Sequence, residues 1–481
     1  MSVAKKTIFA LKWVSALQAY TFVSRLVINI ILAKILIPDD FGLVAIVVIF
    51  TELLTSIADL GFNAAIIQKK DINNKDINTA FILNAGLSVL LTIVVFLSAG
   101  FIANFYGDIR LVSLVHLLSF IIIVRAISSV QIALCDRDLD FKKVVIISSI
   151  AITISSIIKI ILAYYDYQAK SIVIGELINH SVIAVLFWIT TSWKPNIFEF
   201  SIKSFKNLFS FGSNIMLTNT IGLLSQKVDV LVIGKLITAF YVGIYSFSFM
   251  ISTIVVSFIN TIVSRVIFPS FSRIQDDNNE MKNLYIYAVK FISTVSVPAS
   301  VGLFFIAPEF VSIFLKDEWE DAVIIIQILS VYGVSNSLGG ILWGQVLKAK
   351  GKSKMVLSLT IVRLISLIIF IFIGSKWGII GIAVSVTIYG WIFRFVYQHI
   401  INKIIDITML DYLKSLKNTS ISVLFMVLTL ILFKYAKNVF NINDTIMFVI
   451  IIIVGTASYS LAYWIFFKED VQKIILTFKG K

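Results

Sequence analysis

Long apolar runs, broken by short polar turns, occupy the chain from residue 11 to residue 467. A helix that crosses a bilayer needs about 20 mainly apolar residues. Fourteen segments meet that rule: 11–36, 41–66, 79–103, 111–135, 144–165, 171–192, 208–236, 240–267, 284–314, 322–347, 355–374, 377–401, 416–434 and 445–467. The connections are short, as expected where backbone polar groups must be satisfied inside helices. No hydrophilic block is long enough for a separate soluble domain. The expected fold is therefore an all-α polytopic membrane protein. The first apolar run, 8–37, exceeds the roughly 7–15 residues of a signal h-region and is read as a span.

The pattern also repeats. Residues 32–45, LAKILIPDDFGLVA, slide 201 positions without a gap onto 233–246, IGKLITAFYVGIYS. Lys34 falls on Lys235, Gly42 on Gly243, and one turn falls on the other. Further along, Leu117-Leu118-Ser119 falls on Ile328-Leu329-Ser330 at an offset of 211, which also places Arg137 on Lys348. Spans 1–6 and 7–12 thus read as two six-helix lobes, 1–200 and 201–403. Residues 404–481 add two helices and a tail. Six spans per lobe gives both lobes the same orientation, a parallel repeat about an axis along the membrane normal. Two-halved membrane proteins of this kind are most often transporters with the substrate path between the halves.

Composition agrees and narrows the choice. The chain is 59% hydrophobic and 14% charged, with a mean hydropathy of +0.97, whereas soluble domains carry about 25% charged residues. The formal charge of +14 is explained by basic loops that fix topology rather than by nucleic acid. Placing the N-terminus in the cytoplasm collects most loop lysines and arginines on one side, among them Lys69, Lys70, Arg137, Lys142, Lys203, Lys348 and Lys414. Both termini are then cytoplasmic. One cysteine, Cys135, excludes an intramolecular disulfide framework, and His116, His180 and His399 show no metal-ligand spacing. No metal or cofactor is expected.

Six cations lie well inside the spans: Arg25, Arg125, Lys159, Lys227, Arg363 and Arg394. The acids found there are Glu52, Asp59, Glu176 and Asp229. Each ionisable group at mid-bilayer costs at least about 2.5–3.5 kcal/mol on insertion scales, so such groups face the bundle interior or water. Helical spacing puts Gln18, Arg25 and Asn29 on one stripe, Glu52, Thr55, Asp59 and Asn63 on a second, and Asn214, Thr218, Ser225 and Asp229 on a third. Any one charge can be read as a structural ion pair. The surplus of cations over acids points instead to an anionic ligand, and the planar fork of arginine suits phosphate. Glu176 and His180, spaced i and i+4, form a candidate proton-linked pair. Glu52, Asp59 and Asp229 are the other candidates for ion coupling.

Other chemistries find little support. Gly351-Lys352-Ser353 ends like a phosphate-binding loop, but Val346 occupies the required glycine position and an apolar span precedes it. No large outer loop gathers carboxylates for hydrolysis or glycosyl transfer.

Several stretches carry a family likeness. Ile37-Pro38-Asp39-Asp40-Phe41-Gly42-Leu43 resembles the LxPxDFGL turn of bacterial polysaccharide exporters. The similarity continues through Gly61-Phe62, Ala65-Ile66-Ile67-Gln68, Thr79-Ala80-Phe81, Asn84 and the loop Cys135-Asp136-Arg137-Asp138-Leu139-Asp140-Phe141-Lys142. Together these resemble the flippases of the multidrug/oligosaccharidyl-lipid/polysaccharide superfamily, on the branch of colanic acid and teichuronic acid exporters. The resemblance implies a MATE-like fold with two six-helix lobes around a central cationic cavity. It implies an undecaprenyl-diphosphate-linked oligosaccharide as substrate, turned from the inner to the outer leaflet of a bacterial cytoplasmic membrane. Arg25, Arg125, Lys159, Lys227, Arg363 and His180 fit the binding role by position. Membrane lipids are the other partner, and a polysaccharide polymerase complex is a candidate. The alternatives are an ion-coupled drug antiporter of the same superfamily and, from another class, a membrane polysaccharide polymerase or ligase. The orientation is directly testable. Cysteines placed in the 193–205 and 403–414 loops should react with an impermeant thiol reagent only from the cytoplasmic side; labelling of either from outside intact cells would overturn it.

Overall fold

The computed structural model describes residues 3–69 and 71–467, and every regular element among them is a helix. Lys70, used above for orientation, and the tail 468–481 lie outside the described residues, as do Met1 and Ser2. Two compact units divide the chain, Met1–Ser246 and Phe247–Lys481. Among the described residues, thirteen stretches are long and apolar enough to cross a membrane. One of them, Ser353–Ile404, holds two helices, so fourteen crossings are consistent with the structure.

The first unit contains α1 (Val3–Ile35), α2 (Pro38–Ala58), α3 (Phe62–Gln68), α4 (Asn74–Tyr106), α5 (Arg110–Arg137), α6 (Phe141–Tyr164), α7 (Ala169–Thr190), α8 (Ile202–Leu236) and the start of α9 (Ala239–Arg273). Segment 41–66, expected as one helix, is broken. Leu60 and Gly61 take φ of 48° and 71°, and α3 starts anew at Phe62. Glycine permits this conformation, and a Cβ on Gly61 would also strike the Gly212 carbonyl.

Helix α8 lies antiparallel along α2. Gly234 packs on Ile46, Lys227 meets Glu52 at 3.8 Å, Ser56 and Thr220 share a hydroxyl hydrogen bond of 3.1 Å, and Gly212 meets Leu60 and Gly61. At one end of this seam the repeat becomes a contact. A Cβ on Gly42 would overlap the carbonyl oxygen of Ala239, and a Cβ on Gly243 would overlap that of Pro38. Pro38 and Ala239 open α2 and α9 and are themselves related by the offset of 201. Small residues let membrane helices approach this closely.

The turn motif secures these elements. Asp40 accepts from Ile37 N at 3.3 Å, capping α2, and from Ala169 N at 2.9 Å, tying α2 to the start of α7. Arg110 forks onto Asp108, with Nε–Oδ1 at 3.0 Å and Nη2–Oδ2 at 2.6 Å, and also bonds Asp39. The Arg110 hydrogen bond holds the Asp108 carboxyl below its usual range. Arg137 donates to the Ile66 and Lys69 carbonyls at 2.5 and 2.6 Å, satisfying the end of α3.

The second unit continues α9 and adds α10 (Asn278–Phe314), α11 (Ala322–Ser337), α12 (Leu342–Ala349), α13 (Ser353–Gly374), α14 (Gly378–Ile404), α15 (Met409–Phe440) and α16 (Asp444–Phe466). Segment 322–347, also expected as one helix, breaks at Gly339, where φ is 87°. Helices α15 and α16 pack on α10. They are held there by Glu309, a fully buried acid missing from the four counted above. It accepts from Lys434 at 2.6 Å and Lys437 at 2.8 Å, and Lys437 also pairs with Asp444 at 2.8 Å.

The glycine contact sets a clear expectation. Gly42→Leu and Gly243→Leu push backbone against backbone, a cost at or above the roughly 1–3 kcal/mol of ordinary overpacking. Both variants should lose folded protein from the membrane in a detergent-extraction and size-exclusion assay. Gly100→Leu, where nothing lies within 4 Å of the added Cβ, should not.

Candidate functional site: a buried charge network

Five helices of the first unit bring charges together. Glu176 on α7 accepts from Lys159 Nζ on α6 at 2.8 Å and faces His180 Nε2 at 3.5 Å, one turn along its own helix. Lys159 reaches it by crossing Gly175, where any Cβ would displace the lysine stem. Glu52 on α2 stands 3.8 Å from Lys227 on α8. Arg125 on α5 lies within electrostatic range of Glu52, Glu176 and Asp59. Among the described residues the Arg125 guanidinium makes no hydrogen bond or close ion pair. Glu52 Oε2, Asn63 Oδ1 and Asn179 Oδ1 are buried with no hydrogen-bond partner in the protein. The region is polar, charged and only partly satisfied by its own groups.

The other predicted residues fall differently. Arg25 lies about ten residues, or ~15 Å, from the end of α1 at Ile35. Its side chain is exposed and has no ion-pair partner among the described residues; its backbone carbonyl accepts from Asn29 Nδ2 at 2.7 Å. Neither Glu52 nor Asp59 pairs with it. Asp59 sits at the α2–α3 break, near the Asn63 backbone N–H and the Asn84 amide, and its Oδ1 is buried with no hydrogen-bond partner in the protein. Asp229 is buried, and both its oxygens are taken, by Tyr245 Oη at 3.0 Å and Val230 N at 2.9 Å. Arg363, on α13 of the second unit, lines a separate cavity together with Arg394.

Charge counting changes once the units are taken one at a time. In the first, the cations Arg25, Arg125, Lys159 and Lys227 match the acids Glu52, Asp59, Glu176 and Asp229. The surplus of cation counted over the spans rests on Arg363 and Arg394, which lie in the second unit. Spacing along single helices could not foresee that Asp229 has both oxygens taken by local partners while Glu52 Oε2 has no hydrogen bond.

Known proteins are similar to this chain in sequence and in fold. The lipopolysaccharide biosynthesis protein WzxC of Escherichia coli K12 is 26% identical over 388 residues, 80% of this chain and 78% of that protein. The teichuronic acid biosynthesis protein TuaB of Bacillus subtilis 168 is 27% identical over 356 residues, covering 74% and 73%. Among solved structures, the lipid II flippase MurJ in an inward closed conformation aligns with a TM-score of 0.72 at 19% identity, over 95% of this chain and 99% of that one. An inward-facing multidrug resistance MATE family transporter of the MOP superfamily aligns at 0.65 and 15% identity, over 81% and 95%. The fold is therefore the one shared by these transporters. The sequence profile of the polysaccharide biosynthesis protein family matches residues 31–324, well over half of the chain, and the chain belongs to that family of multi-pass membrane proteins.

Proposed function

We propose that the chain flips a lipid-linked oligosaccharide across a bacterial cytoplasmic membrane, by alternating access rather than by catalysis. The observation that carries this reading is Arg25, an exposed guanidinium midway along an apolar helix, with no ion-pair partner among the described residues. A charge at that depth is too costly to face lipid. It belongs beside water, and it calls for an anion. A diphosphate joined to a glycan supplies one, and a planar guanidinium binds such oxygens bidentately.

The network behaves as a set of cations kept cheap until the ligand arrives. Glu176 and Glu52 serve as counterions for Lys159, Lys227 and Arg125 in the empty protein. An entering diphosphate competes for the same cations, and each carboxylate it displaces must move or take up a proton. Glu176, with His180 beside it, is the group we assign to that exchange; Asp229, held by local partners, serves structure first. This arrangement allows proton coupling without a nucleotide. Cytoplasmic termini, a lobe boundary near residue 200 and association with a polysaccharide polymerase complete the reading.

Three substitutions test it. In a flippase-deficient strain, Arg25→Ala should abolish glycan export while the protein still accumulates in the membrane, because loss of the cation relieves an insertion cost. Arg25→Lys keeps charge without the fork and should export partially. Normal export by Arg25→Ala would remove the ligand role; failure through loss of the protein would make Arg25 a structural residue. Glu176→Gln takes away the competing carboxylate, so export should lose part of its pH dependence and anion release should slow. A pH profile identical to wild type removes Glu176 from the mechanism.

A further inference from the structure

The connection between α7 and α8 holds large apolar side chains outward. Glu199 N donates to the Asn196 carbonyl at 3.1 Å, closing a turn with Ile197 and Phe198 at its two corners. Such corners ordinarily carry glycine, proline or short polar residues. Here Ile197 is 65% exposed and Phe198 91%, and Phe200 and Ile202 follow at 46% and 64%.

The turn is fixed rather than loose. Asn78 and Thr79, both buried on α4, hold it from beneath. Asn78 Oδ1 accepts from Asn196 N at 3.0 Å, Asn78 Nδ2 donates to Glu199 Oε2 at 2.8 Å, and Thr79 Oγ1 accepts from Ser201 N at 3.0 Å. Within the turn, Asn196 Oδ1 accepts from Phe198 N at 3.1 Å. Trp193 sets its ring 5.9 Å from that of Phe81, and Lys143 Nζ donates to the Thr190 carbonyl at 2.6 Å, where α7 ends. A loose loop could fold its apolar residues inward. This one is pinned with them on show, and each large apolar side chain left in water forgoes about 1.5–3 kcal/mol.

Charge accompanies the exposed apolar surface. From Thr191 to Asn207 there are three lysines and one acid. The acid, Glu199, is bonded to Asn78, and Lys194 bends back over the Trp188 ring at 5.0 Å. Lys203 and Lys206 stand exposed at the start of α8. A lysine in the first turn opposes the helix dipole, so Lys203 is not placed there for the helix. The whole segment lies just past the end of one span and just before the next, the depth at which aromatic rings and lysines meet a bilayer interface. A bilayer offers both complements at once: acyl chains for the turn corners and negative headgroups for the lysines.

We propose that the 196–206 segment is a rigid peg seated in the headgroup layer, where it takes anionic phospholipid. Ile197 and Phe198 enter the acyl boundary, and Lys203 and Lys206 meet the negative headgroups. On the orientation argued from loop charge, this is the inner leaflet. The proposal goes beyond the flippase reading and holds whatever the cargo.

Electron paramagnetic resonance tests it on the full chain, one copy per nanodisc, with a nitroxide on Phe198→Cys. Cys135 is buried, so the label falls on residue 198. In phosphatidylcholine mixed with phosphatidylglycerol, oxygen should reach the label more readily than an aqueous nickel complex does. Nickel access should be lower there than in phosphatidylcholine alone by about twofold or more. Lys203→Glu combined with Lys206→Glu should erase that difference, and both side chains are exposed, so the fold should survive. A label on Ile197→Cys should give the same pattern and serves should the Phe198 variant fail to accumulate. A label open to nickel in both bilayers, equal access in the two, or a difference that survives the double variant would each overturn the proposal. Protection seen only with two copies per nanodisc would assign the face to self-association and overturn it as well. None of these outcomes bears on glycan flipping.

Discussion

Gly42 and Gly243 meet backbone to backbone, and each lies where a side chain would strike the first carbonyl of the other's helix. From that contact α2 runs on for ten residues, about 15 Å, to Glu52. Helix α8, which ends at Leu236 just before α9, carries Lys227 nine residues back from its end, so the two charges arrive at matching depth. The hydroxyl pair Ser56–Thr220 and the contact of Gly61 with Gly212 carry the same alignment to the far end. The position of the charge network is thus a consequence of how closely two glycines approach.

Bilayer physics then decides what those charges can do. Isolated ions are costly in hydrocarbon, and tight permanent pairs leave nothing for a ligand. The first unit lies between these limits. Lys159 and Glu176 are close at 2.8 Å, Lys227 and Glu52 are loose at 3.8 Å, and Arg125 touches no carboxylate directly. Such a graded set allows an anion to enter by exchange rather than by forcing open a lock. Glu309 shows the opposite extreme: buried and bound by two lysines, it fastens α15 and α16 to α10 and is spent on structure.

Fourteen helices could be read from hydropathy, because length and apolarity alone decide whether a segment crosses. The breaks at Gly61 and Gly339 could not, since both lie in apolar stretches and depend on backbone φ and on close neighbours. The family motifs were legible as motifs, yet their roles emerged only in three dimensions. Asp40 ties α2 to α7, Arg137 closes α3, and Asn78 and Thr79 anchor the 193–201 connection through bonds to Asn196, Glu199 and Ser201. The residues that reveal the family are latches. The candidate ligand groups lie outside those motifs, visible only as charges in the wrong solvent. Sequence singled out Arg25, Arg125 and the Glu176–His180 pair in this way. It passed over Glu309, next to Pro308 at the end of a long apolar run, and it counted Arg394 without its aromatic cavity.

The central claim is that this chain alone moves an anionic glycolipid between leaflets. The most direct measurement places the purified protein in liposomes with a fluorescent undecaprenyl-diphosphate oligosaccharide confined to one leaflet. An impermeant quencher then reports its appearance in the other, without added nucleotide. Transfer well above that of protein-free vesicles, slowed by excess unlabelled glycolipid, is the predicted result. Transfer no faster than in protein-free vesicles, with the protein folded and a proton gradient of either sign imposed, would contradict the account.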